Sequence, residues 1–191
     1  MARSVWSVVL LAATSIMSTF AWGDTVASGD TPTVVVLVRH AEKAAAGPDN
    51  DPRLTADGRC RAEALAAALK DVKLSAIITT QLHRTVETAQ PSADMAGVNP
   101  EKIMIDQNDP SKIPQNVAAV TAAVRNHPGG TVLVVGHNNT VPAVIPALGA
   151  PQLPIICDWE YDRLFMLVLG KDVRLVQSRY GTPSPPAEAC N

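Results

Sequence analysis

Two histidines each follow a run of apolar residues, at the point where a buried strand would end. His40 comes after the run over residues 33–38, and His137 comes after the run over residues 131–135. The carboxyl ends of neighbouring parallel strands meet at one edge of a sheet, so we expect the two imidazoles to lie close together. Neutral imidazole is a competent nucleophile near neutral pH. The pattern therefore predicts a group-transfer site.

Two arginines indicate which group is transferred. A phosphate ester is anionic, so cations and N–H donors must surround its oxygens. Arg39 stands beside His40, offers a planar double donor to phosphate oxygens and disfavours protonation of the imidazole. Arg84 begins a predicted helix and shares a helix face with Thr88. The helix expected after His137 adds backbone N–H groups. The sequence thus predicts a phosphate pocket formed by Arg39, His40, Arg84 and His137.

The elements that must position this pocket alternate between strand and helix. Apolar, β-branched runs predict strands, and 3.6-residue spacing predicts helices. Thr55 is the expected N-cap of the first helix. The alternation predicts a three-layer α/β/α sandwich with a mostly parallel central sheet. Strands are expected at 33–38, 76–79, 102–106 and 131–135, helices from Thr55, over 82–95 with Pro91 inside, around 117–124 and from about Asn139, and a C-terminal β-hairpin at 162–169 and 173–180.

The N-terminus has the pattern of a secretory signal. Arg3 precedes an apolar run over residues 5–16, and Ala21 and Gly23 are small residues at the positions that a signal peptidase reads. The sequence therefore predicts a signal peptide at 1–23, a flexible leader at 24–32, one catalytic domain at 33–181 and a Pro-rich tail at 182–191. A membrane anchor is the alternative, but the run is short for a span. The predicted location is periplasmic or secreted.

Composition limits the partners. The chain has 191 residues and is 47% hydrophobic, which suits one domain with an apolar core. Its formal net charge is −2, which becomes −3 once Arg3 leaves with the signal (15 basic and 18 acidic residues). A slightly acidic chain gives no reason to expect nucleic acid as a partner, and no later run is apolar enough for a membrane. A phosphate ester, small or macromolecular, is the expected partner, and no cofactor is expected. The sequence leaves the oligomeric state open.

Three cysteines are present, Cys60, Cys157 and Cys190. Export permits disulfides. Cys157 and Cys190 lie on either side of the predicted hairpin, so a Cys157–Cys190 disulfide is a hypothesis. No CxxC pair or Cys/His cluster is present, so no zinc site is expected.

Four segments in order resemble the histidine phosphatase superfamily, also called phosphoglycerate mutase-like. They are Arg39-His40-Ala41-Glu42, Leu54-Thr55-Ala56-Asp57-Gly58, Leu82-His83-Arg84-Thr85-Val86-Glu87-Thr88 and Gly136-His137-Asn138. The resemblance implies that His40 carries the phosphoryl group, that Arg39, Arg84 and His137 hold it, and that no metal takes part. Only about 40 residues separate Pro91 from Gly130, which implies a short branch without a large cap insertion.

The acid that protonates the leaving group matches no clear motif. Asp106 and Asp109 follow the third strand and are possible general acids. Glu42 is equally well interpreted as a residue that orients Arg39 or His40 or as a solvated carboxylate. Residues 159–162 are expected to be structural or to line the pocket rim. His83 and His127 are expected at the surface.

The preferred function is an exported phosphatase that hydrolyses phosphate monoesters through a phosphohistidine on His40. Three alternatives stay open at this point. The chain could be a phosphoryl mutase, although export argues against a glycolytic role. It could be a non-catalytic phosphoryl-binding module that lacks a working acid. A metal site built from His40 and His137 is a third alternative, and the adjacent arginine disfavours a bound cation there.

Overall fold

A six-stranded sheet forms the centre of the domain in the computed structural model, which describes Met1 and residues 31–48 and 50–185. The predicted signal peptide, most of the leader and the end of the Pro-rich tail lie outside the described residues, so those boundaries stay predictions. The strands are β1 (Thr33–Arg39), β2 (Ala76–Thr80), β3 (Glu101–Ile103), β4 (Thr131–Gly136), β5 (Arg163–Leu169) and β6 (Arg174–Arg179).

The strand order is β3-β2-β4-β1-β5-β6. The pairs β1–β4, β2–β4 and β2–β3 are parallel, while β5 runs antiparallel to both β1 and β6. The sheet is therefore mostly parallel and ends in the predicted C-terminal hairpin. Both features of the predicted fold are confirmed.

Helices cover both faces of the sheet: α1 (Ala56–Ala68), α2 (His83–Ala96), α3 (Ile113–Arg125) and α4 (Thr140–Ala147). Successive side chains of a strand point to opposite faces. In β1, Val36 and Val38 accordingly pack with residues of α1 and α2, whereas Val35 and Leu37 pack with residues of α3 and α4. The three-layer arrangement is thus built from continuous apolar runs that are buried on both sides.

Strand β3 is shorter than the predicted 102–106. It pairs only with β2, which ends at Thr80 opposite Ile103, so no strand is left for the following residues to pair with. The Gln81 side chain takes over, because its amide accepts from the Ile105 N–H at 3.0 Å and donates to the Ile105 carbonyl at 2.7 Å. Between α2 and β4 the chain holds only β3, a short 3₁₀ turn and α3, so no large insertion lies in this segment.

Residues 54–58 hold helix α1 against the turn that follows β1. Thr55 caps α1 as predicted, since its hydroxyl accepts from the Gly58 N–H at 3.0 Å. The Glu42 carbonyl in turn accepts from the Thr55 N–H at 2.9 Å. Gly58 is required by this close approach, because a Cβ built there would lie 2.1 Å from the Glu42 oxygen.

We expect Gly58→Ala to lower the free energy of unfolding by about 2 kcal/mol or more, because a methyl group forced against backbone must displace it. Gly170→Ala is the matched control, since its added Cβ would meet the nearest atom at an ordinary 3.7 Å. Urea denaturation of both variants measures the difference. Equal stability of the two variants would contradict the packing described here.

Candidate active site

The two predicted histidines meet at the carboxyl ends of neighbouring strands. Arg39 and Gly136 are paired in the β1–β4 register, so His40 and His137 follow side by side. Their ring centroids are 5.5 Å apart. A cavity of about 220 Å³ opens at this edge and is lined by Arg39, His40, Arg84 and His137 among others. All four are buried, with exposed fractions of 4, 3, 8 and 7%.

A backbone carbonyl fixes the proton on His40. Its Nδ1 lies 2.8 Å from the Ala41 carbonyl oxygen, which can only accept. Nδ1 therefore carries the hydrogen in the neutral ring, and the lone pair is on Nε2. The arrangement leaves Nε2 as the ring nitrogen whose lone pair could act as a nucleophile.

Both imidazoles are held in the neutral form. Burial lowers the pKa of His40 well below its usual value, with His137, Arg39 and Arg84 adding to the effect. Burial, followed by the charges of Arg84 and Arg39, lowers the pKa of His137 to about 3. The predicted influence of Arg39 on His40 has the expected direction, but burial contributes more.

These shifts predict a loss of stability in acid. Between pH 6.5 and about 3, His137 binds a proton in the unfolded chain but not in the folded chain. The free energy of unfolding therefore falls as the pH decreases through this window. For His137 alone we expect a loss of roughly 2 kcal/mol between pH 7.5 and pH 5. Urea denaturation across this range measures it, and His137→Asn should flatten the profile. Equal slopes in the two proteins would contradict the neutral, buried His137.

Arg39 is anchored on one side only. Its Nη1 donates to the carbonyl oxygens of Cys157, Asp158 and Glu160 at 2.8, 2.9 and 3.1 Å. The ring of Tyr161 lies 4.2 Å from its Cζ. The sequence predicted a double donor for phosphate, and Nη1 is already committed to the protein. Nε has no partner and Nη2 reaches only the Asp158 carboxylate at 3.5 Å, so this pair of nitrogens is the edge left for an anion.

Arg84 reaches the cavity from the first turn of α2. Its Nη2 donates to the Gln107 amide oxygen at 2.9 Å, and its Nη1 lies 3.6 Å from an Asp51 carboxylate oxygen. Asp51 also accepts from the His83 N–H at 2.9 Å, which ties this carboxylate to the start of the helix. Nε of Arg84 is buried without a hydrogen-bond partner.

Threonine hydroxyls position the second histidine and the turn after the first. His137 Nε2 lies 3.3 Å from Thr80 Oγ1, which is 2.9 Å from Thr85 Oγ1. Thr88 Oγ1 donates to the Arg84 carbonyl at 2.6 Å and accepts from the Ala41 N–H at 2.9 Å. Thr88 therefore links the His40 turn directly to the helix that carries Arg84.

Glu42 takes neither of the two roles considered for it. Its carboxylate accepts from Arg61 Nε at 2.9 Å and Arg61 Nη2 at 2.7 Å, and Arg61 also donates to the carbonyls of Tyr180 and Thr182. Glu42 is thus a structural partner of α1. The sequence offered no signal for Arg61, an arginine that is 6% exposed.

Three aspartates line the cavity. Asp106 accepts from the Asn108 N–H at 3.0 Å, and Asp109 accepts from the N–H and hydroxyl of Ser111 as the cap of the 3₁₀ turn. Both predicted acids are therefore at the cavity and engaged in local turns. Asp158, which the sequence analysis did not single out as an acid, lies at the same cavity and accepts from the Asn138 amide at 2.8 Å. The structure thus adds a third carboxylate to the two predicted ones.

His83 and His127 are partly exposed, as predicted. The ring of His83 lies 3.9 Å from the Asp51 carboxylate, and the ring of His127 lies 3.9 Å from the Glu101 carboxylate. Cys157 is disulfide-bonded, but Cys190 lies outside the described residues, so the Cys157–Cys190 pairing stays a prediction.

Among the residues that the structure describes, no group of three or more His, Cys, Asp or Glu side chains is placed to hold a metal ion. No helix in the described ranges has the length and apolarity to cross a membrane.

Comparison with known proteins shows what this chain is similar to. The family model of the histidine phosphatase superfamily (branch 1) matches residues 35–105, a span that contains Arg39, His40 and Arg84. This match and the fold together confirm the resemblance to the histidine phosphatase superfamily, and the described part of the chain contains no large insertion between α2 and β4. A search of curated proteins found no significant sequence match.

Solved structures of several phosphatases share the fold. The protein histidine phosphatase SixA, complexed with tungstate, has a TM-score of 0.59 and 17% identity, covering 76% of this chain and 96% of its own. A protein of Agrobacterium tumefaciens proposed to be the phosphohistidine phosphatase SixA has a TM-score of 0.54 and 23% identity, covering 80 and 99%. A mycobacterial glucosyl-3-phosphoglycerate phosphatase has a TM-score of 0.54 and 15% identity, covering 78 and 98%. At such identities the likeness shows the fold alone.

Proposed function

We propose that this protein is a phosphatase that hydrolyses phosphate monoesters through a phosphohistidine intermediate on His40. The observation that carries the proposal is the convergence of a neutral His40, with its lone pair on Nε2, and two guanidinium groups in one buried cavity. Each guanidinium there keeps a buried Nε without a partner. A buried cation with unused N–H groups favours an anion. A nucleophile beside two such cations (the cup formed by Arg39, His40, Arg84 and His137) suits phosphoryl transfer.

The reaction has two steps. His40 Nε2 attacks phosphorus while the P–O bond to the leaving group breaks, and the leaving oxygen keeps the bonding electrons and takes a proton from a carboxylic acid at the cavity or from water. Arg39 and Arg84 donate to the phosphoryl oxygens throughout, so the charge that spreads over them is stabilised. Water then attacks the phosphohistidine, releases inorganic phosphate and returns His40 to its neutral form. His137 lies beside the transferred group and supports it.

The phosphohistidine itself provides the test. We expect the purified protein to release phosphate from p-nitrophenyl phosphate and, after an alkaline quench, to retain phosphate bound to the chain. The bound phosphate should be stable in base and lost in mild acid, because a phosphorus–nitrogen bond hydrolyses when the imidazole is protonated. Turnover with a covalent phosphate on another residue would exclude His40 as the nucleophile.

A non-catalytic phosphoryl-binding module is the second candidate. It is favoured by the local hydrogen bonds of Asp106 and Asp109, which give both predicted acids a structural use. Binding of inorganic phosphate without turnover of p-nitrophenyl phosphate at any pH would establish the module. The p-nitrophenolate group leaves without much help from a general acid. Lack of a general acid would therefore not hide nucleophilic catalysis by His40.

We also propose that the protein is exported to the periplasm or secreted. Support comes from the signal-like pattern at residues 1–23 and from the disulfide at Cys157, since such bonds persist in oxidising compartments. Sequencing the N-terminus of the protein recovered outside the cytoplasm tests this proposal. A chain that still begins at Met1 would contradict cleavage.

A further inference from the structure

Charge is divided sharply within the cavity. Its deep part holds Arg39 and Arg84 beside two neutral histidines, whereas its rim carries three aspartates. Lys43 is the one lysine among the described residues that line the cavity. A phosphate dianion neutralises the two guanidinium groups, so the rest of the substrate meets a rim with a net charge of −2, from three carboxylates and one ammonium.

The rim carboxylates come from loops next to strands that lie on either side of the central strands of the sheet. Asp106 and Asp109 lie in the loop after β3, and Asp158 lies in the loop before β5. Strands β3 and β5 stand on opposite sides of the central strands β2, β4 and β1. A leaving group that projects from the cup therefore passes between negative charges on either side.

Phosphate binding changes the environment of Asp158 in particular. Its carboxylate lies 3.5 Å from Arg39 Nη2 and accepts a hydrogen bond from the Asn138 amide at 2.8 Å. A bound phosphoryl group would lie at the same edge of Arg39. It would form an ion pair with the guanidinium in place of Asp158. Asp158 then lacks a full counter-ion, and a cation on the substrate supplies one.

We propose that the natural substrates of this site are phosphate compounds whose leaving group carries a positive charge, such as an ammonium group near the ester oxygen. This inference rests on the proposed function and specifies its substrate class. An anionic leaving group, such as a carboxylate or a second phosphate, is disfavoured by the same carboxylates.

Three esters of nearly equal size isolate the effect of charge: 2-aminoethyl phosphate, 2-hydroxyethyl phosphate and phosphoglycolate, whose far ends are positive, neutral and negative. We expect kcat/KM to fall in that order, with about a tenfold ratio between the first and the last. The ratio is modest because each exposed ion pair contributes little, although two or three act together here. The ratio should shrink in about 0.5 M salt, which screens exposed charges.

Variants identify the source of the ratio. Asp106→Asn combined with Asp158→Asn should bring the ratio to within about threefold of one. Asp94→Asn, on the exposed face of α2 and away from the cavity, is the matched control and should keep the wild-type ratio. A wild-type ratio near one, or one that favours phosphoglycolate, would overturn the inference. A tenfold ratio that survives the double substitution would also overturn it, since the rim aspartates would not be the cause.

Binding separates this inference from the proposed function. Dissociation constants of the three esters on His40→Ala protein should follow the same order, because binding needs no turnover. Absence of turnover of all esters, with the order of binding preserved, would reject the phosphatase and leave the charge preference standing. Turnover without the order of charge would reject the preference and leave the phosphatase standing.

Discussion

Replacing His40 by alanine is expected to lower kcat/KM for p-nitrophenyl phosphate by at least about 10³-fold, because the variant has no atom that can accept the phosphoryl group. The loss should appear in kcat, since Arg39 and Arg84 still hold the phosphate. The covalent phosphate seen after an alkaline quench should disappear as well. Steady-state kinetics and the quench experiment, run on the same preparation, measure both effects.

His83→Ala is the matched control for this prediction. His83 is a partly exposed histidine at the start of α2, and its ring lies 3.9 Å from Asp51, outside the cavity lining. Activity of His83→Ala within about threefold of wild type would show that losing a histidine is harmless in itself. Activity of His40→Ala at a similar level would refute the nucleophilic role.

Replacing Arg84 by alanine is expected to lower kcat/KM by roughly 10²–10³-fold, the usual effect of removing one donor that stabilises developing negative charge. Arg84 brings an unpartnered Nε to the cavity, and Asp51 and Gln107 hold its other nitrogens in place. The inhibition constant of inorganic phosphate should rise together with the loss of activity. Arg84→Lys should recover only part of it, because an ammonium group cannot reproduce the planar fork.

Arg125→Ala provides the comparison. Arg125 is exposed at the end of α3 and donates to the Ala147 carbonyl. It has the same formal charge and lies outside the cavity lining, so its removal should leave the inhibition constant of phosphate within about twofold. Equal effects of the two substitutions would mean that overall charge, and not the position of Arg84, attracts the phosphate.

The framework of the site follows from simple features of the sequence. Continuous β-branched runs predicted β1 and β4, and the parallel pairing of these strands brings His40 next to His137. Two apolar segments separated by a short turn at residues 170–172 likewise predict the C-terminal hairpin, and β5 and β6 form it. These features are local, and the positions of strand ends follow directly from them.

Helix α2 shows what apolar spacing does and does not predict. Leu82, Ala89 and Ala93 recur at helical spacing and are buried. Val86 has the same spacing but is only half-buried, while Thr85, Thr88 and Ser92 are fully buried. Threonine can enter a core because its hydroxyl donates to a carbonyl one turn earlier, as Thr88 does to Arg84. Hydropathy scores such a residue as polar, so the sequence predicted the helix and most of its apolar stripe correctly and missed the buried hydroxyl-bearing residues.

The partners of Arg39 could not be predicted for a different reason. Its three carbonyl acceptors lie 118 to 121 residues further along the chain. Backbone carbonyls have no residue-type signature, so nothing in residues 157–160 marked them as ligands of an arginine. Asp51 and Gln107 escaped notice because each acts through a loop whose path is set by tertiary packing.

The same anchoring has a consequence for how the protein matures. A nascent chain that has emerged as far as His137 already contains both imidazoles and both guanidinium groups, yet the carbonyls that orient Arg39 are still to be synthesised. The proposed phosphate-binding site is therefore completed among the last events of biosynthesis. Fragments that end between residues 138 and 156 should be inert, even though every residue proposed to touch phosphate is present in them.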